Sequence, residues 1–513
     1  MKKLLSSLIF TAVVASASAA SPPIYGVRTD TNGLITAPSN FFAINGLTNS
    51  ATIFVDPAGN DANASRGSIT RFRTITAAKA AAQAGDTICV FAGTYSDNNL
   101  LKAGVNYSFS PGVSIRCNPQ NSVSNSFYGI FDDRSTGGTT NCISGRPDLF
   151  FHTGTNDWNT NTDVGAATNC WGAVVLTNTN TVFFADLGRV SYGSMSNLNL
   201  GAGLNASSPF VLKNCKYADI RCLDISDMFS GRLLLTNGDT VSTFSTGIYW
   251  ELGEVHFFCP HIGPMAGYGI WPSEPPGGPY TNNFYFTGDL LEQKIYQSAS
   301  DSTYKTWFNI KQIQTTNAGA FECVGVYGGK LYLTGCDKIS DVGSGVTCIS
   351  VVVGEAWIDS QKVTSSGTGV ENAGWISQTG GTLWANIGQF EDGGSMTNGI
   401  ICNSATADMH IRGNFAKVNN GTAIIHLAGT NHTSINVIDT STGSTTNAKP
   451  VVVSAVGMCL GGTCLLAPAS TPTIWASSAQ TVSLFNFCSG NSNVSANITL
   501  HNSTNYTWDT AIK

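Results

Sequence analysis

Four acidic residues, Asp337, Asp359, Glu391 and Asp392, lie in or just beyond three similar segments, "GKLYLTG" (329–335), "GEAWIDS" (354–360) and "GTLWANIG" (381–388). Two carboxylates held about 5–9.5 Å apart can cleave a glycosidic bond, one protonating the leaving oxygen and the other attacking or activating water. Beside them stand Tyr332, Trp357 and Trp384, with Tyr285 before and His410 after. Aromatic rings offer faces to the C–H surface of sugars, and polar neighbours fix orientation by hydrogen bonds. Together these residue types suit polysaccharide binding and cleavage. The plain alternative is that the acids are ordinary exposed turn residues. His256, Cys259 and His261 are of metal-ligating type, but no CxxC or HExxH accompanies them, and they read as an ordinary strand and turn. Neither a metal nor a cofactor is expected.

The elements that carry these residues repeat. Leu331, Ala356, Leu383, Met409 and Ile435 recur at intervals of 25, 27, 26 and 26. A second series, Ile349, Ile376, Ile400, Ile424 and Val452, keeps intervals of 27, 24, 24 and 28. Short alternating strands with glycine turns at such a period make a β-solenoid. In a strand successive side chains point to opposite faces. With Leu331/Leu333, Ala356/Ile358, Leu383/Ala385, Met409/Ile411 and Ile435/Val437 inside, an outward column remains: Tyr332, Trp357, Trp384, His410 and Asn436. Carried upstream, it adds Arg221, His256, Tyr285 and Asn309. Coils about 4.8 Å apart would make Tyr332, Trp357 and Trp384 a ladder roughly 10 Å long. That ladder would be a sugar platform, a surface covered by a loop or second subunit, or simple cross-strand packing.

Composition bounds the rest. The 513 residues exceed the ~250–300 at which single cores stop growing, which favours several domains or growth along an axis. Charged residues are 11% of the chain, the net charge is −6, and no basic run occurs. Nucleic acid and anionic membranes are therefore poor partners. "MKKLLSSLIFTAVVASASAA" has two lysines, an apolar stretch too short to span a bilayer, and a small-residue cleavage site, the pattern of a secretory signal. No later segment suits membrane insertion. Of the 14 cysteines, Cys459 and Cys464 are the close pair suited to a disulfide, while Cys222, Cys348 and Cys402 sit in strand patterns as small buried residues.

Residues 53–115 contain Val55-Asp56-Pro57, the Gly59-Asn60-Asp61 turn, an alanine-rich helix over Thr74–Ala84, Gly85-Asp86-Thr87 before a strand, Gly93-Thr94-Tyr95, and Pro111-Gly112 before the next strand. This stretch resembles the start of pectin-lyase-like right-handed parallel β-helices, whose short helix caps the first coil. The resemblance implies an all-β, right-handed parallel β-helix of roughly ten coils with an N-terminal capping helix. It implies no particular activity, because that fold serves lyases, polygalacturonases, tailspikes and adhesins. The paired-aspartate and histidine pattern of polygalacturonases does not follow Asn161–Asp163, and Asp132-Asp133 lies upstream in the wrong order. The arginine-centred signature of pectate lyases does not occur.

These readings divide the chain into a signal segment (1–19), an extended segment (20–50), the β-helix (51–455) and a C-terminal cap or attachment (456–513). "GYGIWPSEPPGGPYTNN" (267–283) reads as an excursion that walls a groove or merely decorates the surface. The expected function is an exported protein that binds a polysaccharide or surface glycan. If it is an enzyme, it is a polysaccharide lyase or glycoside hydrolase. The alternatives are a phage tailspike, at the virion surface and a homotrimer, and a non-enzymatic surface adhesin.

Overall fold

The computed structural model describes residues 51–116, 129–150, 172–191, 208–226, 246–315 and 322–417, short interior gaps aside, together with a few further strand segments. The signal segment, Cys459, Cys464 and Tyr280 lie outside the described residues, and so do the side chains of Ile435 and Val437. The chain is all-β, with one helix among the described residues, Ile75–Ala81. That helix is shorter than the expected Thr74–Ala84. Thr74 is its N-cap, accepting from Ala77 N at 3.2 Å, and the backbone turns extended at Ala82. Ile75 and Ala78 are buried against the first strands, Thr52–Val55 and Thr87–Val90. No described helix is long and apolar enough to cross a membrane.

The strands form one large sheet system in which each segment pairs in parallel with the equivalent segment of the next coil. The architecture is solenoid-like. From residue 246 onward three registers recur, one for each face of a coil. The first joins Ile248, Ile270, Ile295, Val324, Ile349, Ile376 and Ile400. The second carries the segments singled out above. The third joins Ile262, Leu291, Ile313, Ile339, Val363 and Phe390. All of these residues are buried, so the core is a column with three walls. Leu331, Leu333, Ile358, Leu383 and Ile411 face it as expected. The parallel run ends at His432–Asp439, against which Lys449–Val456 lies antiparallel.

Glycine sets the corner that leads into the second face. Gly329, Gly354 and Gly381 each precede a strand of that face, and each has a positive φ, at 66°, 92° and 67°. A Cβ on Gly354 would lie 2.5 Å from Gly329 O, and one on Gly381 would lie 2.3 Å from Gly354 O. Only glycine allows both the turn and the close coil-to-coil approach. This is the reason for the repeated leading G of the three segments.

Several correspondences read from the sequence are displaced. Ile400 pairs with Ile425, not Ile424. Met409 pairs with Thr433 and Ile411 with Ile435, so Ser434 rather than Asn436 follows His410. Val452 meets Asn436 in the antiparallel pair and does not continue the second series. Past His410 the cause is alternation, which repeats every two residues, so a slip of two preserves the pattern and apolar content then favours the wrong partner. At Ile424 and Ile425 two adjacent isoleucines leave the choice of inward residue open by one position.

Candidate functional site: an aromatic spine beside a polar rail

On the second face the outward column is Asp219, His256, Tyr285, Trp307, Tyr332, Trp357, Trp384 and His410. Trp307 occupies the place expected for Asn309, and Asp219 the place expected for Arg221. Asn309 and Arg221 stand two positions along, opposite Thr334 and Phe258. Thr306 concealed the register of this coil. It is a polar residue turned inward and fully buried, with its hydroxyl bonded to Gln297 Oε1. The missed signal was Trp307 itself, an aromatic residue of the same parity as Asn309.

The seven rings from His256 to His410 stack in one run. Their centroids are 4.6, 4.7, 5.4, 4.6, 4.6 and 5.6 Å apart. Interplanar angles run from 10° to 17°. In-register parallel strands place equal positions above one another at about 4.8 Å, close to ring-stacking distance. The arrangement has a chemical consequence that an isolated exposed tryptophan lacks. Each inner ring covers its neighbours' faces, so solvent meets ring edges. Trp384, at 36% exposure, is the most open of the three tryptophans.

Two residues further along each strand, about 7 Å away on the same face, runs a second rail: Thr334, Asp359, Asn386 and Arg412. All four are exposed. Asn386 Nδ2 donates to Asp359 Oδ1 at 3.0 Å. Between this rail and the spine lies a groove of about 640 Å³, bordered by Trp357, Trp384 and His410 on one side and by the polar rail on the other. Its floor is the backbone of Leu333, Ile358, Ala385 and Ile411, whose side chains turn inward. Beyond the spine Lys330 Nζ lies 2.9 Å from Glu355 Oε2, and Asp408 Oδ1 lies 2.8 Å from the spine residue His410, at Nε2.

Of the four candidate carboxylates, only Asp359 lines this groove. Asp337 is exposed and accepts from Gln361 Nε2 at 2.9 Å. Glu391 lies past the next corner, paired with Lys362 Nζ at 2.5 Å. Asp392 is buried in the coil. In the cross-coil register Asp359 faces Asn386, Glu391 faces Thr364, and Asp392 faces Ser365. No two of them stand opposite one another.

His256, Cys259 and His261 do not converge. His256 belongs to the spine, Cys259 is buried, and His261 sits on the third face between two carboxylates. Among the described residues no group of three His, Cys, Asp or Glu is arranged to hold a metal. Nine cysteines there are free; Cys222, Cys348 and Cys402 are buried, and burial pushes the Cys222 and Cys348 thiols well up. Such thiols are packing residues rather than nucleophiles.

Comparison with protein families, with curated proteins and with solved structures finds no match.

Proposed function

We propose that the chain is an exported right-handed parallel β-helix of pectin-lyase-like type that binds an extended polysaccharide or surface glycan in the groove beside the aromatic spine. The observation that carries the reading is the pairing of an aromatic wall with a rail of hydroxyl, carboxylate, amide and guanidinium groups. Such a pairing meets both sides of a sugar, its C–H surface and its hydroxyls. Because the ring faces are occupied by one another, sugars would meet ring edges and lie within the groove rather than on platforms. Right-handed coiling is favoured by the crossover rule for parallel strands and by the resemblance of residues 53–115. Export rests on the signal pattern of residues 1–19.

The common route of glycosidic hydrolysis uses two carboxylates at the substrate, and the described groove offers one, Asp359. Binding is therefore the better supported activity, and a non-enzymatic adhesin uses the groove equally well. The test is a panel of polysaccharides screened against the purified protein, with binding, reducing-end and unsaturated-product readouts. Binding without product is the expected result. Product formation would demand a second acid or base at the groove, and absence of binding to any glycan would overturn the proposal.

A further inference from the structure

On the third face one side chain is held in an arrangement that only its protonated form satisfies. His261 Nδ1 lies 2.7 Å from Asp224 Oδ1, and His261 Nε2 lies 2.9 Å from Glu292 Oε2. The three residues come from three consecutive coils, in the register Ile225, Ile262 and Leu291. An imidazolium donates from both nitrogens. A neutral imidazole has one N–H, so its other nitrogen would turn a lone pair toward a carboxylate oxygen.

Each carboxylate is anchored from beyond. Asp224 Oδ2 accepts the Ser226 hydroxyl and lies 3.6 Å from Arg189 Nε, which itself donates to Ser226 Oγ at 2.8 Å. Glu292 Oε1 accepts from Gln314 Nε2 at 2.9 Å, and Gln314 Oε1 accepts from Gln312 Nε2 at 3.0 Å. The polar chain thus crosses five coils. Its charges, Arg189, Asp224, His261 and Glu292, sum to zero when the histidine carries its proton and to −1 when it does not.

Other ionisable groups nearby do not offset this change. The Cys222 thiol is kept neutral by burial and donates to Asp224 O, and the Cys259 thiol donates to His261 O. Asp289, whose N–H donates to Pro260 O, is paired with Lys311.

We propose that His261 is a proton-operated staple joining three consecutive coils, and that losing the proton releases one of its two carboxylates. Burial opposes charge on the ring, but the Glu292 and Asp224 carboxylates outweigh it, so His261 titrates above the ordinary histidine range. The sign follows. A base whose folded pKa is raised stabilises the fold fully below its unfolded pKa of about 6.5, and that stabilisation is lost as pH rises through the folded value. At 36% side-chain exposure the ring is open to solvent protons.

The test compares wild type with His261→Gln, which keeps a polar side chain but cannot titrate. Hydrogen exchange would be followed in peptides covering 218–226, 254–263 and 283–292 from about pH 6 to about pH 9. After correction for hydroxide catalysis, these peptides should lose protection in the wild type as pH rises and change little in the variant. Histidine ring NMR, assigned by the signal missing from His261→Gln, should show a titration above the ordinary value. Asp224→Asn should move that titration down. A pH-independent difference between wild type and variant, or a ring that titrates at or below the ordinary value, would overturn the proposal.

Discussion

The two halves of the stack are braced by different means. In the N-terminal coils, buried carboxylates tie separate segments together through backbone N–H groups. Asp86 accepts from Ala51 N and Gln83 N and pairs with Arg66. Asp97 holds Ile75 N and Thr76 N at the start of the helix, and Asp133 holds Thr177 N, Asn178 N and the Thr181 hydroxyl. In the later coils such contacts persist at Asp341, which accepts from Ser366 N and the Ser365 hydroxyl, but the aromatic spine is added to them. Spacing differs in the same way. Along the spine register the intervals Cys142–Phe184–Asp219–His256 are 42, 35 and 37 residues, whereas Tyr285–Trp307–Tyr332–Trp357–Trp384–His410 are 22, 25, 25, 27 and 26. Upstream rings are tilted, at 47° for Phe184–Tyr217 and 37° for Tyr217–His256. Stacking belongs to the short, even coils. Where the coils are long and uneven, point contacts to single acids do the bracing.

Two tryptophans of one coil give the sharpest contrast within the later half. Trp375 is fully buried and donates from Nε1 to Glu391 O at 2.9 Å, while Trp384 is the exposed member of the spine. Trp375→Ala should cost about 3–5 kcal/mol in denaturant unfolding, from the cavity and the orphaned carbonyl. Trp384→Ala removes two stacking contacts and should cost about 1–3 kcal/mol. Equal losses would mean that the spine is core.

Acid should separate the halves. Burial pushes the Asp86 carboxyl up, and the bonds from Arg66, Gln83 N and Ala51 N outweigh that and hold it below the usual range. A lowered carboxylate pKa gives stability present above its unfolded value of about 3.9 and lost as pH falls through the folded value. Hydrogen exchange below about pH 4 should therefore loosen residues 51–116 in the wild type. Asp86→Asn should cost about 3 kcal/mol at neutral pH and remove this dependence. Uniform acid loosening in both proteins would break the contrast.

The corner glycines carry a smaller effect. Gly354→Ala places a methyl group against Gly329 O at positive φ and should cost about 1–3 kcal/mol, read as lost protection in residues 347–366. An unchanged variant would show that the corner can relax.

The same contrast explains what could be read in advance. Between 329 and 413 the even interval and the leading glycine expose both the repeat and the column of Tyr332, Trp357, Trp384 and His410. At Trp307 an inward threonine hid the register. Past His410 a slip of two preserved the alternation. The polar rail of Thr334, Asp359, Asn386 and Arg412 was within reach, since each lies two residues after a spine ring, but only Asp359 was singled out, for its acid. The His261 bridge could not be read at all. Asp224 and Glu292 lie 37 and 31 residues away, and coils of unequal length leave such pairings to the three-dimensional register.

Glycan binding in the groove beside the spine is the proposed activity. The most direct measurement is titration of a glycan found in the screen into wild type and into the Trp357→Ala/Trp384→Ala double variant, after hydrogen exchange has shown both to be folded. Loss of the aromatic wall should weaken binding by about 2–4 kcal/mol, because the ring edges that bury apolar area against the sugar are removed. Unchanged affinity in a folded double variant would contradict the account and leave the spine as a brace between coils.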